Sequence, residues 1–208
     1  MNFDAIQSLG LPFWLAGSYG SPEKLASAKA TGATGIQLGT LFAFSDESGL
    51  RSDLKLDIVE KCKEAEELEV FKDPLASPTG FPFQVLSVKG SLSDPEIYED
   101  RCRQCDLGFL RESYEREDGT LGWRCKAEDP KEYVKKGGKL EDTVGRKCLC
   151  NSLMANIGLA QIRKNGSNNS YIEPTLITCG EDMSSISTLL GRDKSSYQSA
   201  DVIDYLLS

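Results

Sequence analysis

Two short apolar bursts, Pro12 to Ala16 and Gly35 to Leu38, stand either side of a punctuated helical stretch, and this restricts the fold more than any other feature of the chain. A few apolar residues in a row, bounded by glycines, suit a strand buried on both faces, as in parallel sheets. Between the bursts, Ser21 is placed to cap a helix. Pro22 takes the first helical position, where its missing N–H costs nothing, and Gly32 can close the helix in a left-handed conformation. The spacing predicts one crossover between two parallel strands. Each strand runs into a glycine-containing turn, Gly17-Ser18-Tyr19-Gly20 and Gly39-Thr40, so both turns open at the same carboxyl edge. Turns of this kind, after the last two strands of a (β/α)8 barrel, hold phosphate with backbone N–H groups. An ordinary βαβ unit whose glycines serve only the turns has the same pattern, and the two alternatives stand level here. A dinucleotide-binding unit does not fit, because no G-x-G-x-x-G follows the first strand and no acidic residue ends the second.

Past Phe44 the pattern changes. Leu54, Ile58, Val59, Cys62 and Ala65 form a helical stripe with Ser52 as its expected cap. Three prolines and Gly80 then break up an apolar, aromatic loop before an expected strand at Phe83 to Val88. Phe81 and Phe83 read as residues that dock this loop on the body, with a lid over a ligand as the less favoured role.

Five of the seven cysteines fall between Asp100 and Asn151: Cys102, Cys105, Cys125, Cys148 and Cys150. Between them, Asp118-Gly119 is a hairpin signal flanked by Phe109 to Tyr114 and Thr120 to Cys125. Such a hairpin returns Cys125 to the chain near Cys105, and the Cys148-Leu149-Cys150 knuckle can complete a tetrahedral thiolate site for a structural zinc ion. Cys105, Cys125, Cys148 and Cys150 are the preferred set. Arg101, Arg103, Arg124, Lys126, Arg146 and Lys147 neighbour these cysteines in sequence and would offset thiolate charge. The spacing is not the paired C-x-x-C of a zinc ribbon, and buried cysteines also serve as small apolar residues. An iron–sulfur cluster on the same thiolates is the less favoured alternative.

The last third reads as short amphipathic helices that pack on the body or on another subunit of a homo-oligomer. Leu153, Ile157, Leu159 and Ile162 belong to one, ending at the 165–169 loop. Ser184 to Leu190 stops before Gly191, and Ser199 is the expected cap of Ala200 to Leu207. Glu181, Asp182 and Asp201 read as first-turn charges, and no acid–base pair stands out.

The stretch LPFWLAGSYGSPEKLASAKATGATGIQLGTLFAFSDESGL, with DPLASPTGFPF, CDLGFLRESY and DTVGRKCLCNSLMANIGLAQ, resembles the carboxyl-terminal part of flavin-dependent nitronate monooxygenases, formerly 2-nitropropane dioxygenases. It is similar in particular to the longer bacterial members, which also resemble the enoyl reductase subunit of polyunsaturated fatty acid synthases. The resemblance spans nearly the whole chain. It implies an FMN oxidoreductase acting on a small nitronate or nitroalkane, with the flavin phosphate held by Gly17 and Ser18 and by Gln37, Gly39 and Thr40. It also implies a histidine base from an earlier part of the barrel. This chain contains no histidine, and no residue in it is an evident substitute.

The expected fold class is therefore α/β: the last two β/α units of a TIM-type barrel, followed by an α+β carboxyl-terminal region. Residues 1–70 would end the barrel, 71–151 would hold the loop and cysteine-bearing hairpin, and 152–208 would be helical. A whole barrel takes about eight strands and ~250 residues, so the sequence reads as the tail of a longer protein. A non-catalytic flavin- or protein-binding fragment, or part of a trans-acting enoyl reductase, is the alternative. A net charge of -8 and a pI near 4.8 argue against a nucleic-acid surface. No apolar run approaches the ~20 residues of a membrane span, and no signal peptide is evident, so the expected location is the cytoplasm.

Overall fold

A computed structural model of the chain describes residues 2–64, 68–164, 170–181, 183–191 and 193–208. The chain is mixed α and β and divides into two compact units, Met1–Leu68 with Cys179–Ser208, and Glu69–Thr178.

The first unit opens with α1 (Phe3–Gln7), β1 (Trp14–Ala16), α2 (Pro22–Ala30), β2 (Gly35–Gln37), α3 (Thr40–Ala43) and α4 (Ser52–Lys63). The expected crossover forms. β1 and β2 pair in parallel with Trp14 opposite Gly35, Leu15 opposite Ile36 and Ala16 opposite Gln37. Ser21 caps α2 by accepting the Lys24 N–H at 3.3 Å, Pro22 opens the helix, and Gly32 follows it at φ +81°. One sheet face packs Leu15 and Ile36 with Ala28, Ala33 and Phe13. Alternation sends Trp14, Ala16 and Gln37 to the other face, where Trp14 is 56% exposed and lies across Gly35. A Cβ on Gly35 would stand 3.2 Å from the indole ring, so glycine there makes room for the tryptophan.

α4 buries Ile58, Val59 and Cys62, as its stripe requires. Its cap differs from the expectation. The Lys55 N–H bonds the Arg51 carbonyl at 3.0 Å, so Arg51 holds the cap position, Ser52 is already helical, and no side chain caps the helix. Ala65 lies outside the described residues. The turn after α3 is closed by the buried Lys55, whose Nζ donates to the carbonyls of Ser45, Asp46 and Ser48 at 3.0, 2.9 and 3.2 Å.

The second unit contains β3 (Val70–Asp73), β4 (Phe83–Leu86), α5 (Pro95–Glu99), β5 (Glu112–Glu115), β6 (Leu121–Arg124), α6 (Pro130–Lys135), α7 (Leu149–Asn156), β7 (Ile162–Lys164) and β8 (Ser170–Ile172). Its strands pair as three antiparallel hairpins, β3 with β4, β5 with β6 and β7 with β8. The β5–β6 turn is the Asp118-Gly119 one, with Gly119 at φ +78°. Phe83 packs on the core formed by Ala76, Val85, Leu92, Leu149 and Leu176. Phe81 meets its ring edge-on at 4.8 Å and is 60% exposed. The loop is therefore docked by one aromatic residue rather than two.

The helix expected through Ile162 is not formed. α7 stops at Asn156, whose side chain donates to the Leu176 carbonyl at 2.9 Å and accepts the Leu176 N–H at 3.1 Å, and Gly158 follows at φ +80°. Ile162 is instead in β7, and residues 165–169 lie outside the described ones. α7 also runs through the expected boundary at 151, so residues 152–178 stay with the second unit.

The chain returns to the first unit with α8 (Ser184–Leu190) and α9 (Ser199–Leu207). α8 packs on α4, and α9 on α2 and α3. Gly191 follows α8 at φ +58°, as its position suggests. Ser199 is the first residue of α9 rather than its cap, because its hydroxyl is taken by Glu47 at 3.0 Å. Gln198 caps the helix in a box with Asp201, whose carboxylate accepts the Gln198 N–H at 2.8 Å. Asp182 is outside the described residues.

Candidate functional site

The parallel register places the ends of β1 and β2 side by side, and so puts Gly17, Ser18, Gln37, Gly39 and Thr40 at one edge of the first unit. Gly17 has φ +88° and needs to be glycine for that reason alone. Ser18 follows at φ +55°, the one non-glycine residue with positive φ among the described residues, a strained geometry of the kind that gathers at functional turns. Gly39 differs from Gly17. Its φ of −115° and ψ of −55° suit any residue, and a Cβ there would meet nothing within 4 Å. Neither backbone nor neighbours require glycine at 39, and its surroundings are open.

Gly39 and Thr40 begin α3, where backbone N–H groups have no partner within the helix. Among the described residues no other acceptor meets them. The Thr40 hydroxyl accepts the Gly180 N–H at 2.7 Å, which fixes its orientation and leaves its own proton for another acceptor. Ser185, on α8, donates to the Gly20 carbonyl at 2.6 Å. Gly180 and Ser185 thus brace the two turns from a segment some 140 residues or more downstream. Nothing local marks them, and only the return of the chain after Thr178 brings them there. Gln37 is exposed on the sheet face away from α2, as a barrel-interior position would be.

In the second unit, Cys105, Cys125, Cys148 and Cys150 come together with Ala127, Leu107 and Leu110. Cys102 is not in this group. Cys125 donates to the Cys105 sulfur, which with this hydrogen bond sits at a pKa of about 7. Cys148 donates to Cys150, bringing it to about 6, helped by the backbone N–H groups of Leu110 and Phe109. The donors Cys125 and Cys148 are pushed well up, by these same bonds first and burial second. Among the described residues no group of three or more His, Cys, Asp or Glu side chains stands in metal-holding geometry. Of the six basic neighbours, Arg101 donates to the Glu173 carboxylate and the Ala127 carbonyl, and Arg103 to the carbonyls of Lys126 and Thr143. Arg124 and Lys126 turn to Glu112, Arg146 to the carbonyls of Pro74 and Ser77, and Lys147 to Asp73.

No helix among the described residues is long and apolar enough to cross a membrane. Compared with known proteins, the chain matches no family model, no curated protein and no solved structure.

Proposed function

We propose that the edge formed by Gly17, Ser18, Gln37, Gly39 and Thr40 holds the phosphate of FMN, and that the chain is the cofactor-gripping, barrel-terminal part of an FMN-dependent oxidoreductase of the nitronate monooxygenase type. The observation that carries this is Gly39: a glycine that neither its backbone angles nor its neighbours demand, beside backbone N–H groups without an acceptor and facing open space. Close approach of a ligand is the remaining reason for a missing side chain. N–H groups of Gly17, Ser18, Gly39 and Thr40 would donate to phosphate oxygens, with the Thr40 hydroxyl proton as one more donor. The flavin, when bound, supplies the electron-transfer chemistry, and the protein's share is binding and orientation. No residue of this chain is assigned the removal of the substrate proton.

Titration of the protein with FMN and with riboflavin, followed by flavin fluorescence, tests this. FMN is expected to bind and riboflavin, which lacks the phosphate, to bind markedly more weakly. Equal binding of the two, or binding of neither, would overturn the assignment.

A further inference from the structure

We propose that Gly180 is a positioning residue of the phosphate edge: it holds the Thr40 hydroxyl with its proton free for the ligand, and so sets the preference for a phosphorylated flavin over the bare one. This role presupposes that the edge of Gly17, Ser18, Gln37, Gly39 and Thr40 takes the flavin phosphate. It adds a residue 140 positions downstream of Thr40 that touches no ligand itself.

A threonine hydroxyl has one proton and two lone pairs, and it rotates to suit its partners. At Thr40 the Gly180 N–H occupies a lone pair of Oγ1 at 2.7 Å, and among the described residues no acceptor takes the proton. The oxygen is committed as an acceptor toward the returning segment, and the proton stays available. Accepting one hydrogen bond also polarises the hydroxyl into a stronger donor. A phosphate dianion, which offers only acceptors and carries charge, matches that donor. The uncharged terminal hydroxyl of riboflavin gains less from it.

The identity of residue 180 follows from the same contact. Gly180 is not among the glycines with positive φ, so its backbone does not demand glycine. Thr40 does. A Cβ at 180 would stand 3.1 Å from Thr40 Oγ1, tighter than ordinary contact, and the hydroxyl would have to give by about a few tenths of an ångström. Hydrogen bonds to an oxyanion tolerate only a narrow range of distance, so a shift of that size weakens the donor.

Other contacts keep the edge in place when this one is lost. The buried Tyr197 donates its hydroxyl to the Leu41 carbonyl at 2.8 Å, and its own carbonyl accepts the Asp46 N–H at 2.9 Å, which fastens α3 beyond Thr40. The buried Ser185 hydroxyl holds the Gly20 carbonyl of the first turn at 2.6 Å. Disturbing Gly180 therefore acts on one hydroxyl, and both turns keep their braces.

Flavin titrations of variants test this. Gly180→Ala should lower FMN affinity about tenfold, as loss of a hydrogen bond to a charged group does, with riboflavin affinity unchanged. Thr40→Val should show the same loss, and Gly180→Ala added to it should cost nothing further, because both act through one group. Thr40→Ser keeps the hydroxyl and should retain the preference for FMN. Should Gly180→Ala fail to fold, amide hydrogen exchange in the unmutated protein decides: FMN should slow exchange of the Gly180 N–H, and riboflavin should not. A Gly180→Ala protein with the full preference for FMN, a double variant whose losses add, or a Gly180 amide that exchanges alike with both flavins would overturn the role of Gly180 and leave the phosphate edge standing. Equal binding of the two flavins by the unmutated protein, or binding of neither, would overturn the edge and this role with it.

Discussion

Gly17 and Gly39 belong to the same edge yet should respond to substitution in opposite ways. At Gly39 the backbone angles are ordinary and the space is free, so Gly39→Val should leave circular dichroism and Tm unchanged. FMN affinity should fall at least about tenfold, ~1.4 kcal/mol, because the side chain occupies the phosphate position. At Gly17, φ +88° makes Gly17→Ala a folding defect of about 1–2 kcal/mol, seen in denaturant titration even without flavin. Two further residues, Cys62 and Cys179, make the first unit sensitive to alkali. Burial pushes their thiols up from 9.0, to about 11 and about 12. A raised value means the neutral thiol is favoured in the fold. Their contribution is therefore complete below pH 9 and is lost as pH rises through 11 to 12. The fall in Tm between pH 8 and pH 11 should be shallower in Cys62→Ala/Cys179→Ala than in the unmutated protein.

Among the elements, β8 carries the most exposed consequence of burying charge. Glu173 lies just past its end and has a fully buried side chain. It meets Arg101 at 2.6 Å and Arg163 at 2.9 Å, and Arg163 also pairs with Asp106. Glu173→Gln leaves two buried guanidinium groups short of charge and should destabilise the second unit by about 3–5 kcal/mol in urea unfolding. None of this network was legible in the sequence, because its members lie on segments that local patterning cannot bring together. What could be read was local. The crossover β1–α2–β2 announced itself through Ser21, Pro22 and Gly32, and the β5–β6 hairpin through Asp118-Gly119, since turn chemistry acts over a few residues. The convergence of Cys105 with Cys125 followed from that hairpin. The failures were tertiary. Ile162 went to a strand because Asn156 clamps Leu176 and ends α7. Ser199 lost its cap role because Glu47 claims its hydroxyl, and Gly180 and Ser185 gave no sign that they brace the glycine turns.

For the molecule as a whole, the informative fact is that the second unit is one uninterrupted stretch whose two ends lie on the same strand. The residue after β4, Ser87, donates to the Glu69 carbonyl at 2.9 Å, while Leu86 of β4 donates to the Ile177 carbonyl at 2.9 Å and Val85 bridges Thr178. An inserted unit closed at its own neck can fold without its host. The segment Glu69–Thr178 expressed alone should therefore give a cooperative thermal transition, and a sloping, non-cooperative melt would show that it depends on the rest of the chain.

The chain has only two tryptophans, and the division into units gives each unit one. Trp14 lies across Gly35 on β1, and Trp123 sits on β6 with the Arg111 guanidinium 5.8 Å from its ring. Intrinsic fluorescence thus comes already partitioned. With excitation selective for tryptophan, the emission of Trp14→Phe originates in the cysteine-bearing unit and that of Trp123→Phe in the unit with the glycine turns, so the order in which the two halves melt can be recorded without an added dye.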